Sequence, residues 1–356
     1  MTTTTPGKLL TDCLECNRCL KVCDFLQQHG NPVQIELRLS ARLETNLPYS
    51  CSLCGACESV CPANIPLKQY FLAWRQIAVA RGLAPLPAHR GLLNYEKMVA
   101  SKLLTAVFLP PGTARVLFPG CAAIGKAPAT VKTLYRQLAA IRPEENLGLV
   151  LDCCHKISHD LGRQSFFQEK FFRLRQQLQA AGVREIITLC PSCTEIFRSQ
   201  TDFTVTPVYH YLRRLPPAAG DTQRLVRAAV HDACVLRHDR ETQDAVRGLL
   251  SDRKITPVPL AQERKHTLCC GEGGAAWCLD RNLPERFRQR RLAGLTDPLV
   301  VYCYACRDFL DPDHQLGIRH ILEIVCGPEK RYAGWRSWLN RFFLKRWLRR
   351  KLAHRI

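Results

Sequence analysis

The chain has 356 residues, 46% hydrophobic and 23% charged, which is long enough for two or three domains and too apolar for a disordered polymer. Its formal net charge of +20 points to an anionic partner: a membrane surface, nucleic acid or an acidic protein. Twenty cysteines are too sparse for a small disulfide scaffold. The opening MTTTTPGKLL has no signal-peptide core. No run approaches the roughly 20 apolar residues of a spanning helix, LLTAVFLP (103–110) being the best. A cytoplasmic chain whose clustered thiols bind metal is therefore expected.

Cys13, Cys16, Cys19 and Cys23 are spaced C-x2-C-x2-C-x3-C, and Cys51, Cys54, Cys57 and Cys61 repeat the spacing, ending in Cys61-Pro62. This resembles the bacterial ferredoxin run, in which three thiolates converge from one loop and the fourth cysteine serves the other cluster. The resemblance implies one [4Fe-4S] cubane on Cys13, Cys16, Cys19 and Cys61, and a second on Cys51, Cys54, Cys57 and Cys23. Asp24 stands where proline often follows the fourth cysteine. Helical patterning between the copies predicts a helical two-cluster domain over residues 8–85, then a linker over 86–112.

From Cys121 the pattern changes. Cys121, the pair Cys153-Cys154, and Cys190 with Cys193 (CPSC) are followed, about 113 residues on, by Cys234, Cys269-Cys270, and Cys303 with Cys306 (CYAC). A repeat of that period is a domain-scale duplication rather than a solenoid. ARVLFPG, GLVLD, REIITL, RAAVHDA and DPLVVY read as buried strands before the cysteines. APATVKTLYRQLAAI, SFFQEKFFRLRQQLQAAG and ETQDAVRGLL read as helices between them. Alternation of this kind predicts parallel sheets with helices outside and cysteines past the strand ends. The two units are placed at 113–215 and 226–328.

The pattern resembles the duplicated cysteine-rich CCG domain of heterodisulfide reductases and of the iron–sulfur subunits of glycerol-3-phosphate and glycolate dehydrogenases. Cys269-Cys270-Gly271 is its naming motif. The resemblance implies one or two further [4Fe-4S] clusters, of cubane or non-cubane type, at the five-cysteine sets (Cys121, Cys153, Cys154, Cys190, Cys193; and Cys234, Cys269, Cys270, Cys303, Cys306). Around the second pair, Gly271, Gly273 and Gly274 are expected to admit positive φ and bring N–H groups to sulfur. His155 replaces the glycine after the first pair, so any difference between the sites should begin there. His155 and His159 could share a helix face. His231-Asp232 reads as a structural pair. Cys278 and Cys326 read as free buried thiols. GEGG is loop packaging, and no nucleotide fingerprint is present, so flavin or nicotinamide would belong to a partner.

Residues 330–356 hold ten Lys and Arg and no acid, interleaved with large apolar residues, the composition of an interfacial amphipathic helix. Trp335, Trp338, Leu339, Phe342 and Phe343 share one face, whereas Leu344, Trp347, Leu348 and Leu352 fall largely opposite. Either the helix breaks near Phe343–Lys345, or protein grips one side and lipid the other.

The expected function is an iron–sulfur electron-transfer subunit of an oxidoreductase, peripheral on the cytoplasmic membrane face. Its partners would be a flavoprotein dehydrogenase, a membrane cytochrome b or a quinone-binding subunit. The alternative is a catalytic subunit that reduces a heterodisulfide at the second five-cysteine set. A regulatory iron–sulfur or zinc protein acting on nucleic acid ranks lower, since no other nucleic-acid motif is present.

Overall fold

The computed structural model describes residues 9–41, 45–215, 225–330, 332 and 334–353. The N-terminal part is helical: α1 (Leu9–Asp12), α2 (Asp24–His29), α3 (Pro32–Ala41) and α4 (Leu67–Ala80). In α4 the buried Leu67, Tyr70, Phe71, Trp74 and Ala78 recur at helical spacing, so one face enters the core. That face meets Leu26, Ile35 and Leu39 of the preceding helices. Helix α5 (Arg90–Val99) follows.

The first sheet comprises β1 (Ala106–Phe108), β2 (Arg115–Phe118), β3 (Leu147–Leu151), β4 (Glu185–Thr188) and β5 (Thr204–Pro207), in spatial order β1-β3-β2-β4-β5. Only β1 runs antiparallel to its neighbour. Between them lie α6 (Gly120–Lys126), α7 (Pro128–Ile141), α8 (Lys156–Asp160), α9 (Gln164–Ala180) and α10 (Pro191–Gln200), with α11 (Val208–Leu212) after β5. The second sheet is all parallel, with β6 (Arg227–His231), β7 (Thr256–Val258), β8 (Leu299–Val301) and β9 (Arg319–His320) in the order β7-β6-β8-β9. Its helices are α12 (Arg240–Ser251), α13 (Leu283–Leu292), α14 (Tyr304–Leu310) and α15 (Ile321–Cys326). Setting β1 aside, the two sheets share one strand order. The five expected strands all form. The short β1, β5, β7 and β9 lack a periodic sequence signal.

One apolar core joins both sheets, running from Leu117, Leu149 and Ile187 to Val230, Val300 and Val301. Helix α16 (Arg336–Ala353) is unbroken and inserts Leu344 and Leu348 into that core. Trp335, Trp338, Leu339, Phe342 and Phe343 remain exposed. The swing of the apolar stripe thus reflects two faces of one helix rather than a break. The side chain of Leu352 lies outside the described residues. Among those residues no helix is long and apolar enough to cross a membrane.

Candidate iron–sulfur centres

Cys13, Cys16, Cys19 and Cys61 line one small cavity. Cys23, Cys51, Cys54 and Cys57 line another of about 430 Å³. These are the two groups of four that the ferredoxin resemblance implies as ligand sets. The grouping arises because Cys23 caps α2 in an extended conformation and turns its thiol toward the second loop. Asp24 is used differently from a proline: its carboxylate pairs with Arg290 of α13 at 2.5 Å.

Cys121, Cys153-Cys154, Cys190, Cys234 and Cys303 stand past the C-terminal ends of β2, β3, β4, β6 and β8. Cys190 and Cys303 are the N-caps of α10 and α14, so their sulfurs face unpaired amides at a helix start. Cys154 and Cys193 sulfurs are 3.4 Å apart, Cys121 contacts Cys153, and Cys190 contacts Cys193, which gathers the first five. Cys269 contacts Cys234 and Cys270, and Cys306 contacts Cys270 and Cys303, which gathers the second five. Cys278 and Cys326 are half-buried and stand apart from both sets.

The donor chemistry suits a metal. Burial pushes the thiols of Cys23 and Cys57 up, Cys51 to about 12 and Cys19 to about 11. Repulsion from neighbouring thiolates adds to this at each group. A cluster of buried thiols that oppose one another's ionisation gains most from a bound cation. These residues fit iron–sulfur clusters, which thiolates bind.

The adjacent pairs reveal a shared device. Gly271 has φ 99° and its N–H donates to Cys269 Sγ at 3.3 Å; His155 has φ 55° and its N–H donates to Cys153 Sγ, also at 3.3 Å. Gly274 has positive φ as well, whereas Gly273 does not. The His231-Asp232 pair is divided between two tasks. Asp232 takes both Arg247 nitrogens at 2.9 Å and the Arg264 N–H at 2.7 Å, while His231 contacts Cys270. His159 is tied to Asp160 at 2.9 Å, which makes it a structural residue.

The sets are also in contact with one another. Cys54 of the ferredoxin part contacts Cys269, which, together with Arg237, lowers the Cys54 thiol to about 6. Cys190 and Cys303, from the two sheets, are near enough to oppose each other's ionisation. Arg237 donates to Cys54 O at 3.0 and 2.8 Å and to Thr267 O at 3.2 Å. Arg341 of α16 donates to the carbonyl of Cys121 and to Tyr95 Oη. Nothing in the sequence distinguishes these arginines from solvated ones.

The fold and its cysteine sets define an iron–sulfur protein with an electron-transfer role. Residues 9–65 match the 4Fe-4S dicluster domain. Over 361 aligned residues the chain is 22% identical to a subunit of the fumarate reductase (CoM/CoB) of Methanothermobacter marburgensis, covering 89% of this chain and 72% of that one. It is 30% identical over 92 residues to the "Uncharacterized electron transport protein YkgF" of Escherichia coli, covering 22% and 19% of the two chains. It is 38% identical over 105 residues to "Lactate utilization protein B" of Bacillus cytotoxicus, covering 26% and 22%. The chain thus spans about a fifth of the length of the latter two. These likenesses bear out the resemblance to cysteine-rich iron–sulfur proteins.

Proposed function

We propose that this chain is the electron-relay subunit of a membrane-associated oxidoreductase, with [4Fe-4S] clusters at both five-cysteine sets of a duplicated CCG unit as well as at the ferredoxin cysteines. The observation that carries this reading is the serial proximity of the cysteine sets: Cys54 touches Cys269, and Cys190 and Cys303 are near enough to oppose each other's ionisation. When bound, the clusters supply one-electron exchange. The chain's own residues fix the spacing: Arg237 ties the Cys54 loop to Thr267, just before the Cys269-Cys270 pair, and Arg341 ties Cys121 to α16. The apolar face of α16, set among basic residues, suits the anionic cytoplasmic leaflet. A flavoprotein dehydrogenase, or a cytochrome b or quinone-binding subunit, supplies the other end of the relay.

The second reading, disulfide reduction by the chain itself, draws on Lys126, a half-buried cation paired with Asp308 and near both Cys121 and Cys303, where an anionic thiol substrate would need one. One experiment separates the two. Anaerobic, dithionite-reduced protein is mixed with a water-soluble quinone or with an aliphatic disulfide, and cluster bleaching is followed by stopped flow. Reoxidation within seconds by quinone alone, together with flotation on phosphatidylglycerol vesicles that Phe342→Glu abolishes, is the expected result. Reoxidation by the disulfide overturns it in favour of catalysis.

A further inference from the structure

Where the second set has a glycine, the first carries a buried imidazole. His155 keeps the left-handed backbone of Gly271 and the same N–H to sulfur bond, so its ring is added beside Cys153 without altering the loop. The residue is 5% exposed, and Nδ1 has no hydrogen-bond partner among the described residues. Glu96 Oε1 lies 3.7 Å away, too far for a hydrogen bond. Glu96 is itself 1% exposed. Its carboxylate is held in place by the Ser158 N–H at 3.0 Å and the Ser158 hydroxyl. One donor atom each from Glu96, Cys153 and His155 lie within 4.8 Å of one another.

The carboxylate has the Ser158 donors, whereas the buried Nδ1 has none, and a cation between Nδ1 and Oε1 would satisfy both. Sulfur, nitrogen and oxygen donors at this separation suit iron or zinc. We propose that the first five-cysteine centre has mixed ligation: His155 binds one of its metal ions alongside Cys153, with the Glu96 carboxylate as the oxygen donor. The linker helix α5, which bears Glu96, then belongs to the centre. Adding imidazole and carboxylate donors to the five thiolates sets the potential of the first centre apart from that of the second. This rests on the reading that the first set holds iron.

The test uses the full chain, purified anaerobically with 15N-histidine and then reduced. Metal content is measured on the wild type and on a Cys153→Ser, Cys154→Ser double variant. Nitrogen hyperfine coupling is measured by pulsed EPR on the wild type, His155→Gly and Glu96→Gln. Gly suits the backbone at position 155, so that variant should fold. The expected result is ligand-strength nitrogen coupling in the wild type that His155→Gly removes, with the midpoint potential of one centre shifting and the others unchanged. Glu96→Gln should lower metal retention at the same centre. Full iron content without such coupling, or coupling that survives in His155→Gly, overturns the mixed ligation alone. Equal iron in the wild type and the double cysteine variant overturns the underlying reading of the first set as well.

Discussion

Arg75 lies on α4 with no exposed surface. It donates to Pro48 O at 3.0 Å, Asp160 O at 2.7 Å, Gly274 O at 2.8 Å and Cys51 O at 2.6 Å. Those carbonyls come from the start of the second ferredoxin loop, the first sheet's α8 and the GEGG loop, so one guanidinium joins three parts of the chain. Truncation leaves buried acceptors without donors, at about 1–3 kcal/mol each and not additively. Arg75→Ala should lose at least ~3 kcal/mol of stability, read as a fall in anaerobic melting temperature. Arg75→Lys should recover only part of it, because an ammonium cannot reach four divergent carbonyls as a planar fork does. The cysteine sets were legible because the spacing within each motif already groups side chains that lie together in the fold. Arg75, Arg237, Arg341 and Glu96 were not, because a buried charge and a solvated one look alike until the partners, which are distant in sequence, are known.

At the scale of elements the same contrast holds. β2, β3, β4, β6 and β8 are near-continuous apolar runs, as strands covered on both faces must be, and so they were readable. β9 has two residues and β7 three, one of them Pro257; edge positions need no such run. The wheel of α16 showed two apolar faces but not which one meets protein, since that depends on where the sheets stand. The GEGG loop has a role that its glycines only hinted at. A Cβ on Gly274 would lie 2.6 Å from Cys51 O, at φ +61°, and one on Gly273 would lie 2.6 Å from Ser52 O. The loop is bare so that it can lie directly on the ferredoxin loop. Gly274→Ala should force the two apart, at roughly 1–3 kcal/mol for overpacking. Iron content should stay at the wild-type value while electron exchange between the ferredoxin and second five-cysteine centres slows, as seen by freeze-quench EPR. Unchanged exchange would show that this contact is not the route.

For the whole molecule, metal and fold are coupled, and the coupling has a sign in pH. Eighteen of the twenty cysteines belong to the four sets, and most are wholly or partly buried. Without metal, the folded chain keeps thiols such as Cys51 (up to about 12) and Cys19 (up to about 11) protonated, against an ordinary value of 9.0. A group raised in the folded state contributes its stability below the unfolded value and loses it as pH rises toward the folded one. The metal-free chain should therefore weaken from about pH 9 upward. The loaded chain should do the reverse. Its ligands are thiolates, acid returns protons to them, and metal retention should fall as pH drops. Loading all four centres with four irons each predicts about 16 Fe per chain on that stoichiometry. Anaerobic removal of iron by a chelator, followed by melting at pH 6, 8 and 10, tests both arms. The expected outcome is a large loss of melting temperature on iron removal at pH 8, further loss at pH 10 for the stripped chain, and iron release from the loaded chain toward pH 6. A stripped chain that melts like the loaded one would mean that the protein core alone, from Leu117 across to Val300, holds the cysteine loops in place.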